Sequence, residues 1–333
     1  MRITTGMMTN RYIRNLNKSA KEMNYLNERV YTGRKFFKGS EDPVSAIKAY
    51  KLRREYRSTE MYDTNLRDVE SFLTAAESSL MEISNNLETV YTSYLKGITG
   101  TMGKEDREII AKELENLQNS ILTSLNAKFE DRYLFGGTSK DVLPFSVEDG
   151  KLYFKGYDIT TGEHKSDGTT VDLSQLENEV INIDLGLGMT FNDGNLNQNT
   201  VFNMSMSGVK FIGYGETDGI SNNLHTLIGN IKDELLKEDF SLDEISPYIE
   251  RFEQQKKQVL VNVTDIGSKV NYLDFLKVRN EDNQFNLNEK ILDVEYVDPA
   301  EAIIDFKMQE YSYNAALSMG NKILQNSFID FMR

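Results

Sequence analysis

Two histidines and two short glycine sequences are the parts of this 333-residue chain whose residue types could support catalysis. His164 lies in a polar turn, and we expect His225, in a predicted helix over 222–236, to be a surface or interface residue. Gly186-Leu187-Gly188 and Gly213-Tyr214-Gly215 both lack the third glycine and the strand-to-helix setting of a dinucleotide site. None of these sequences therefore indicates a catalytic or nucleotide-binding motif.

Metal chemistry is also poorly supported by the residue types. Asp193, Asn195 and Asn197 begin like a calcium loop, but Gln198 stands where the loop needs glycine and Met204 where it needs glutamate. The chain has no cysteine, which excludes disulfides, a thiol nucleophile and thiolate metal sites. The carboxylates are spread along helical segments and form no isolated acid–base pair. We expect a protein that is not an enzyme and that has no cofactor and no metal.

Charge is divided unevenly along the chain, whose net charge is −14. Residues 1–57 contain fourteen Lys and Arg against five Asp and Glu, while the remainder is acidic. The basic residues are scattered around a predicted helix, so we expect them to pair with an acidic part of this chain or of a neighbouring copy, with no nucleic acid and no membrane as partner. No apolar run is long enough to span a bilayer, and the N-terminus lacks the features of a cleavable signal peptide.

Two long heptad patterns dominate the rest of the sequence. The first has ten members at alternating spacings of four and three: Tyr62, Leu66, Val69, Leu73, Ala76, Leu80, Ile83, Leu87, Val90 and Tyr94. The second continues in the same way: Ile245, Ile249, Phe252, Lys256, Val259, Val263, Ile266, Val270 and Leu273. A period of 3.5 keeps one stripe facing a partner helix, so these segments predict coiled-coil packing.

Cap and breaker residues place the ends of the long helices. Ser40-Glu41-Asp42-Pro43 predicts a helix that begins at the proline and continues to about Lys96. A further amphipathic helix with Ile110 on its apolar face is expected to fold back antiparallel toward Arg132. Ser241-Leu242-Asp243-Glu244 is a capping box that starts another helix, and Ser246-Pro247 is a second candidate start.

Residues 136–220 contain turn pairs such as Asp149-Gly150 and Asp193-Gly194, which separate short β-prone runs. The runs are Lys151–Lys155, Val180–Leu185 and Val209–Ile212. The predicted fold is mainly α with a β-rich insert: a long antiparallel coiled-coil rod formed by the N- and C-terminal halves, with a small β domain between them. The expected domains are terminal arms (1–42 with 290–333), a helical rod (43–135 with 221–289) and the insert (136–220).

The terminal arms carry apolar stripes that we predict to be assembly interfaces. The N-terminal stripe, in a predicted helix over 9–33, consists of Tyr12, Leu16, Met23, Leu26 and Val30. The C-terminal stripe, in a predicted helix over 299–332, consists of Ile304, Met308, Tyr311, Ala315, Met319 and Ile323. One pair of helices buries little apolar surface relative to the conformational entropy that it loses. We therefore expect the arms to become ordered against other copies; docking on the rod of their own chain is the alternative.

Several motifs resemble the flagellin family of bacterial axial proteins. They occur in the family's order along almost the whole chain: Met1-Arg2-Ile3-Thr4-Thr5-Gly6-Met7-Met8, Tyr31-Thr32-Gly33-Arg34-Lys35, Gly39-Ser40-Glu41-Asp42-Pro43-Val44-Ser45-Ala46, Tyr133-Leu134-Phe135-Gly136-Gly137-Thr138, Ile183-Asp184-Leu185-Gly186-Leu187-Gly188-Met189 and Ile323-Leu324-Gln325-Asn326-Ser327-Phe328-Ile329-Asp330-Phe331. The paired Met7-Met8 and the Glu-Asp-Pro at 41–43 are similar to the junction proteins of the family, whereas Phe36-Phe37-Lys38 departs from its usual polar stretch.

The resemblance implies a structural protein of the bacterial flagellum that joins hook to filament. It implies terminal helices that line a coiled-coil core, a homo-oligomer in a ring-like layer, and neighbouring hook-associated proteins and an export chaperone as partners. It also implies an extracellular location reached by flagellar type III export without a cleavable signal. The alternative within the family is a filament flagellin, and the alternative from another class is a soluble enzyme with a coiled-coil arm and a pocket within 136–220.

Overall fold

The computed structural model describes residues 5–98, 103–238 and 241–329, with side chains described from residue 6 to residue 320. The chain divides into two compact units. The terminal unit consists of residues 1–60 with 281–333, and the central unit consists of residues 61–280. The domain boundaries expected from the sequence stay a prediction.

Helices make up most of the described structure. In chain order they are α1 (Thr5–Thr32), α2 (Pro43–Gly97), α3 (Lys104–Leu125), α4 (Leu173–Glu177), α5 (Gly208–Ile212), α6 (Leu224–Leu236), α7 (Leu242–Glu295) and α8 (Pro299–Ile329). A single 3₁₀ turn (Gln198–Thr200) is also described. Helix α2 is anchored at its start because the Asp42 carboxylate accepts a hydrogen bond from the Ser45 amide at 3.0 Å. Hydrogen bonding from the Ser45 side chain, and then from the Ser45 amide, lowers the pKa of Asp42. The predicted cap and the proline at the first helical position are confirmed.

The first heptad pattern forms the centre of the core of the central unit. All of its members are buried except Tyr62, which is half-buried. In the second pattern every seventh residue is fully buried, namely Ile245, Phe252, Val259, Ile266 and Leu273. The Tyr94 ring meets the Phe252 ring edge to face at 5.7 Å, and the Lys277 ammonium reaches Glu70 at 3.2 Å. These pairs place α2 and α7 antiparallel within this unit, while supercoiling of the two helices stays a prediction.

Helix α3 returns along α2, as the sequence predicts. The Asn86 amide donates to the Ser120 hydroxyl at 3.1 Å, and the Ser79 hydroxyl donates to the Ser124 carbonyl at 3.0 Å. The partner numbers fall on α2 as they rise on α3, so the two helices are antiparallel. Helix α6 packs against α3 in turn, and it completes the helical core of the unit.

The insert contains short antiparallel strands. They are β1 (Lys128–Phe129), β2 (Arg132–Tyr133), β3 (Phe145–Glu148), β4 (Lys151–Phe154), β5 (Tyr157–Asp158), β6 (Asn182–Ile183), β7 (Phe191–Asn192), β8 (Asn195–Leu196), β9 (Phe202–Asn203), β10 (Glu216–Thr217) and β11 (Ile220–Ser221). Strands β3, β4 and β5 form one sheet, and the others form the pairs β1–β2, β6–β9, β7–β8 and β10–β11. Asp149-Gly150 and Asp193-Gly194 have positive φ at both residues, which is the type I′ geometry that these turn pairs predict.

Two expectations from the sequence are wrong in this region. Val209–Ile212, read as a β-prone run, lies in helix α5, because Val209, Phe211 and Ile212 turn one helical face into the core. His225 is buried, with a relative exposure of 4%, and is therefore not a surface residue of this unit. The Gln118 amide lies 3.2 Å from its Nδ1 and donates to its carbonyl at 2.8 Å, so the ring occupies a satisfied core position.

Candidate functional site

Helices α1 and α8 pack against each other in the terminal unit, and they carry the residues that the sequence predicts for assembly. The Tyr12 hydroxyl donates to the Ala316 carbonyl at 3.0 Å, and the Gln309 amide donates to the Ser19 hydroxyl at 2.9 Å. The number on α8 falls by one heptad as the number on α1 rises by one heptad. The helices are therefore antiparallel, and the N-terminal end of α1 lies beside the C-terminal part of α8.

Polar groups fix the register of this pair. Gln309 also donates to the Ser19 carbonyl at 3.2 Å, so that one amide group serves both polar atoms of Ser19. The Arg29 guanidinium lies 3.9 Å from the Asp305 carboxylate near the other end. These contacts are spread along the helices, and each requires a particular partner position, so a shift of one helix along the other would break them together.

The predicted N-terminal stripe lies on the half-buried side of α1. Its five members are Tyr12, Leu16, Met23, Leu26 and Val30, and each of them is partly covered in the terminal unit. Tyr12 reaches α8 directly through the hydrogen bond to Ala316. The N-terminal stripe is therefore engaged, in part, within a single copy of the chain.

The predicted C-terminal stripe, in contrast, is exposed to solvent. Ile304, Met308, Tyr311 and Met319 are 59%, 65%, 76% and 63% exposed, and Ala315 is exposed as well. The side chain of Ile323 lies outside the described part. Other residues of α8 provide the covered face: Ala302, Phe306, Gln309, Tyr313, Ala316 and Gly320. Helix α8 thus has apolar side chains on two faces, and among the residues whose side chains are described only one of these faces is covered.

A polar groove of about 610 Å³ runs between α1 and α8. It is lined by Asn15, Lys18, Ser19, Glu22, Leu26, Arg29, Asp305, Met308, Gln309 and Ser312. Its charged groups are of both signs, and its apolar members come from the two stripes. The groove is therefore the open edge of a helix–helix contact, and its residue types provide no nucleophile with an activating base.

Basic residues of the N-terminal region pair with acidic residues of the C-terminal region in the terminal unit. The Arg53 guanidinium contacts the Glu295 carboxylate, and the Lys35 ammonium contacts the Asp293 carbonyl. The backbone also connects the two regions: the Lys35 amide donates a hydrogen bond to the Glu295 carbonyl at 2.7 Å. The expectation that the basic arm pairs with an acidic part of the chain is met by these contacts.

One tyrosine ties the end of α1 to the turn that follows it. The Tyr25 ring meets the Phe37 ring edge to face at 5.6 Å, and its hydroxyl donates to the Lys35 carbonyl at 3.3 Å. Burial and the neighbouring Glu41 carboxylate raise the pKa of Tyr25. Phe37, which departs from the family pattern, is thus accommodated by a packing contact with α1.

Pattern reading from the sequence missed Ser19, Gln309 and Gly320 as residues of the helix pair. Their types carry no hydrophobic signal, and their roles depend on which residue of the other helix lies opposite. The periodicity of each helix gives its apolar face but not the register between two distant segments. No signal within either segment would have identified these three residues.

The described residues contain neither a metal-binding cluster nor a helix able to span a membrane. Across residues 5–98, 103–238 and 241–329, no cluster of three His, Cys, Asp or Glu residues has the arrangement of a metal site. In that same part of the chain, none of the helices combines the length and apolar character that crossing a membrane requires.

Known proteins resemble the chain in sequence and in fold. Residues 3–140 match the family model described as the bacterial flagellin N-terminal helical region. Flagellar hook-associated protein 3 of Escherichia coli strain K12 is 26% identical over 152 residues, which cover 45% of this chain and 48% of that protein. The protein of the same name from Salmonella typhimurium strain LT2 is 24% identical over 151 residues, which cover 45% of this chain and 48% of that protein.

A solved structure extends the similarity in fold. A Vibrio parahaemolyticus protein that has been assigned to the flagellar hook-associated proteins superposes with a TM-score of 0.61 at 21% identity, covering 77% of this chain and 100% of that one. The chain spans about half the length of the curated relatives that it matches. Together these findings confirm the resemblance to the flagellin family and, within it, to hook-associated protein 3.

Proposed function

We propose, on the premise of this resemblance to hook-associated protein 3, that the chain is a structural component of the bacterial flagellum without enzymatic activity. It joins hook to filament by helical self-assembly through its terminal helices. The observation that carries the proposal is the exposed apolar stripe on α8, which lies on a different face from the one that packs on α1.

A helix with apolar side chains on two faces needs more than one partner to bury them. A helix that is apolar on one face is satisfied by one partner, whereas a helix that is apolar on several faces is normally buried in an assembly. Met308 and Met319 would each gain about 1.5–3 kcal/mol from full burial. A second copy of the chain supplies the same kind of helix surface, so assembly removes these side chains from water without a different protein.

The location and partners follow from the same proposal. The chain is exported through the flagellar type III apparatus and acts outside the cell. Its absence of cysteine suits passage of an unfolded chain through a narrow channel. Its partners are further copies in a ring-like layer, neighbouring hook-associated proteins and an export chaperone.

A filament flagellin is the alternative within the same family, since the matched N-terminal region is described for flagellins generally. Immunogold labelling of whole cells separates the two functions. A junction protein places gold at one point between hook and filament, and a filament subunit places gold along the whole filament.

The deciding experiment changes the exposed stripe and keeps the residues that make the α1–α8 hydrogen bonds, namely Tyr12, Ser19 and Gln309. Met308→Ser combined with Tyr311→Ser should leave the helix content by circular dichroism unchanged and abolish filament attachment in cells that produce only this variant. The matched control is Lys307→Ser combined with Asn314→Ser, two exposed polar residues on a third face of the same helix. Normal filaments on the stripe variant would disprove the proposal, as would normal filaments on cells whose protein lacks 300–333.

A further inference from the structure

A second outward surface of the terminal unit lies on the first turns of α2. Ala49 and Leu52 face inward, and the residues on the opposite side of the helix are exposed: Val44, Ile47, Tyr50, Lys51 and Arg54. Ile47 is 60% exposed and Tyr50 is 70% exposed. We call this surface the basic face, because its apolar residues are accompanied by cations.

The last turns of α7 carry a matching surface in the same unit. Ile291 is buried, and a stripe at spacings of three and four points away from it: Asp282, Phe285, Glu289 and Leu292. Phe285 is 63% exposed. We call this surface the acidic face, because its apolar residues alternate with carboxylates.

The two faces carry charges of opposite sign, and their charged side chains form no ion pairs in the described part of the chain. Residues 43–60 contain five Lys and Arg against two Asp and Glu, whereas residues 281–295 contain one against five. In the part of the chain that the structure describes, no ion pair engages Lys51, Arg54, Asp282 or Glu289. The Arg53–Glu295 pair joins the same helices from their inner sides, so the outer faces cannot satisfy each other within one copy.

We propose that the basic face of α2 docks on the acidic face of α7 in a second copy of this chain. This inference rests on the proposed function and adds to it the lateral contact between copies. The occupant is another copy because each face combines exposed apolar residues with charged ones and the two faces carry opposite charge, which is the complementarity that a coiled-coil pairing uses for partner choice.

The geometry of this contact has a consequence for assembly. Because the two faces differ, each copy offers one of them to each of two neighbours, which makes the contact heterologous. A heterologous contact closes into a ring or continues as a helical array, whereas a self-complementary contact stops at a dimer. The contact therefore allows copies to be added one after another until the layer closes into a ring.

Charge exchange between two variants tests the contact on the full chain. The basic-face variant is Lys51→Glu with Arg54→Glu, and the acidic-face variant is Asp282→Lys with Glu289→Lys. In sedimentation velocity at low salt, each variant alone should associate at least tenfold more weakly than the original chain. An equimolar mixture should regain association, because every contact in an alternating array again joins opposite charges.

The control for net charge is Lys112→Glu with Lys140→Glu, two exposed residues of the central unit, which should associate like the original chain. A mixture that associates no better than its components would overturn the proposal. So would an original chain that stays monomeric at every concentration.

Cross-linking supplies a readout of position. The chain has no native cysteine, so Tyr50→Cys and Phe285→Cys introduce the only thiols. A short bismaleimide should link these two single variants into dimers and should convert the double variant into a ladder of oligomers. Tyr50→Cys with Asn286→Cys is the control, because Asn286 lies on a different side of α7, and an equal yield for both pairs would contradict the contact.

The outcomes separate this inference from the proposed function. If the charge and cross-linking results fail while the Met308 and Tyr311 variant still loses filaments, the proposed function stands and the lateral contact is wrong. If the Met308 and Tyr311 variant builds normal filaments, the proposed function fails whatever the faces of α2 and α7 do.

Discussion

The phenol of Tyr12 lies over Gly320, where the glycine lacks the side chain that would occupy the same space. A Cβ at position 320 would overlap the Tyr12 ring and its oxygen. The Tyr12 hydroxyl donates to the Ala316 carbonyl at 3.0 Å, which is the carbonyl that the Gly320 amide reaches one helical turn away. The close approach of α1 and α8 at this end therefore depends on one glycine and one tyrosine.

Replacement of that glycine should loosen the helix pair. Gly320→Ala forces Tyr12 out of its place, and the overpacking should cost about 1–3 kcal/mol, from which the higher helix propensity of alanine subtracts about 1 kcal/mol. Hydrogen exchange should then be faster for amides of both α1 and α8. Gly6→Ala is the control, since a Cβ there meets nothing within 4 Å and alanine favours the helix by about 1 kcal/mol. Equal exchange rates in the Gly320→Ala variant and the original chain would show that the contact is unimportant.

The Ser19–Gln309 pair should contribute coupling energy between the same helices. Gln309→Ala removes two hydrogen bonds and should lower the stability of the pair by about 1 kcal/mol. A double-mutant cycle with Ser19→Ala measures the coupling, and the sum of the single effects should exceed the effect of the double change. Ser312→Ala serves as the control because its hydroxyl bonds only within its own helix, to the Met308 carbonyl. Strictly additive effects would disprove the coupling.

Acid should destabilise the central unit through His225. Burial, and to a smaller extent Lys232, lowers the pKa of this imidazole from 6.5 to about 4. The folded chain therefore holds His225 neutral at pH values where the unfolded chain protonates it. Its contribution to stability is complete above pH 6.5 and is lost as the pH falls toward 4, a change of about 3 kcal/mol.

Urea unfolding followed between pH 7 and pH 4 measures this effect. His225→Leu keeps the backbone carbonyl that Gln118 also bonds, and it should remove most of the pH dependence in this window. His164→Gln, in the polar turn, should leave the dependence unchanged. A His225→Leu variant whose stability falls as steeply as that of the original chain would rule out His225 as the source.

The heptad core should respond to truncation according to burial alone. Phe252 is fully buried against Tyr94, so Phe252→Ala should cost about 3–5 kcal/mol of unfolding free energy. Phe275 lies on the same helix and is 62% exposed, so Phe275→Ala should change stability by about 0.5 kcal/mol or less. Denaturant midpoints of the two variants give the comparison, and similar losses would contradict the described packing.

The long helices were predictable because their signals are local and repeated. Asp42 and Pro43 mark the start of α2, and the ten-member pattern from Tyr62 to Tyr94 repeats often enough to define one buried face. The hairpin turns were predictable for a similar reason, since Asp149-Gly150 allows positive φ at two successive residues. In each case neighbouring residues contain the information.

The small elements of the insert were less predictable. Val209–Ile212 is short and apolar, and periodicity over four residues cannot separate a strand from a helix. His225 was misplaced because its burial depends on Gln118, which lies on a helix far away in the sequence. Both errors arise where tertiary contacts override a weak local preference.

The sequence alone determined which residues of the terminal helices are apolar, and it determined their resemblance to the flagellin family, because periodicity and motifs are properties of contiguous residues. Only the tertiary structure decided that the stripe of Met308 and Tyr311 faces outward while the neighbouring face of α8 covers α1. The choice depends on register, and register is set by contacts such as Tyr12 on Gly320 and Ser19 with Gln309 between segments some three hundred residues apart.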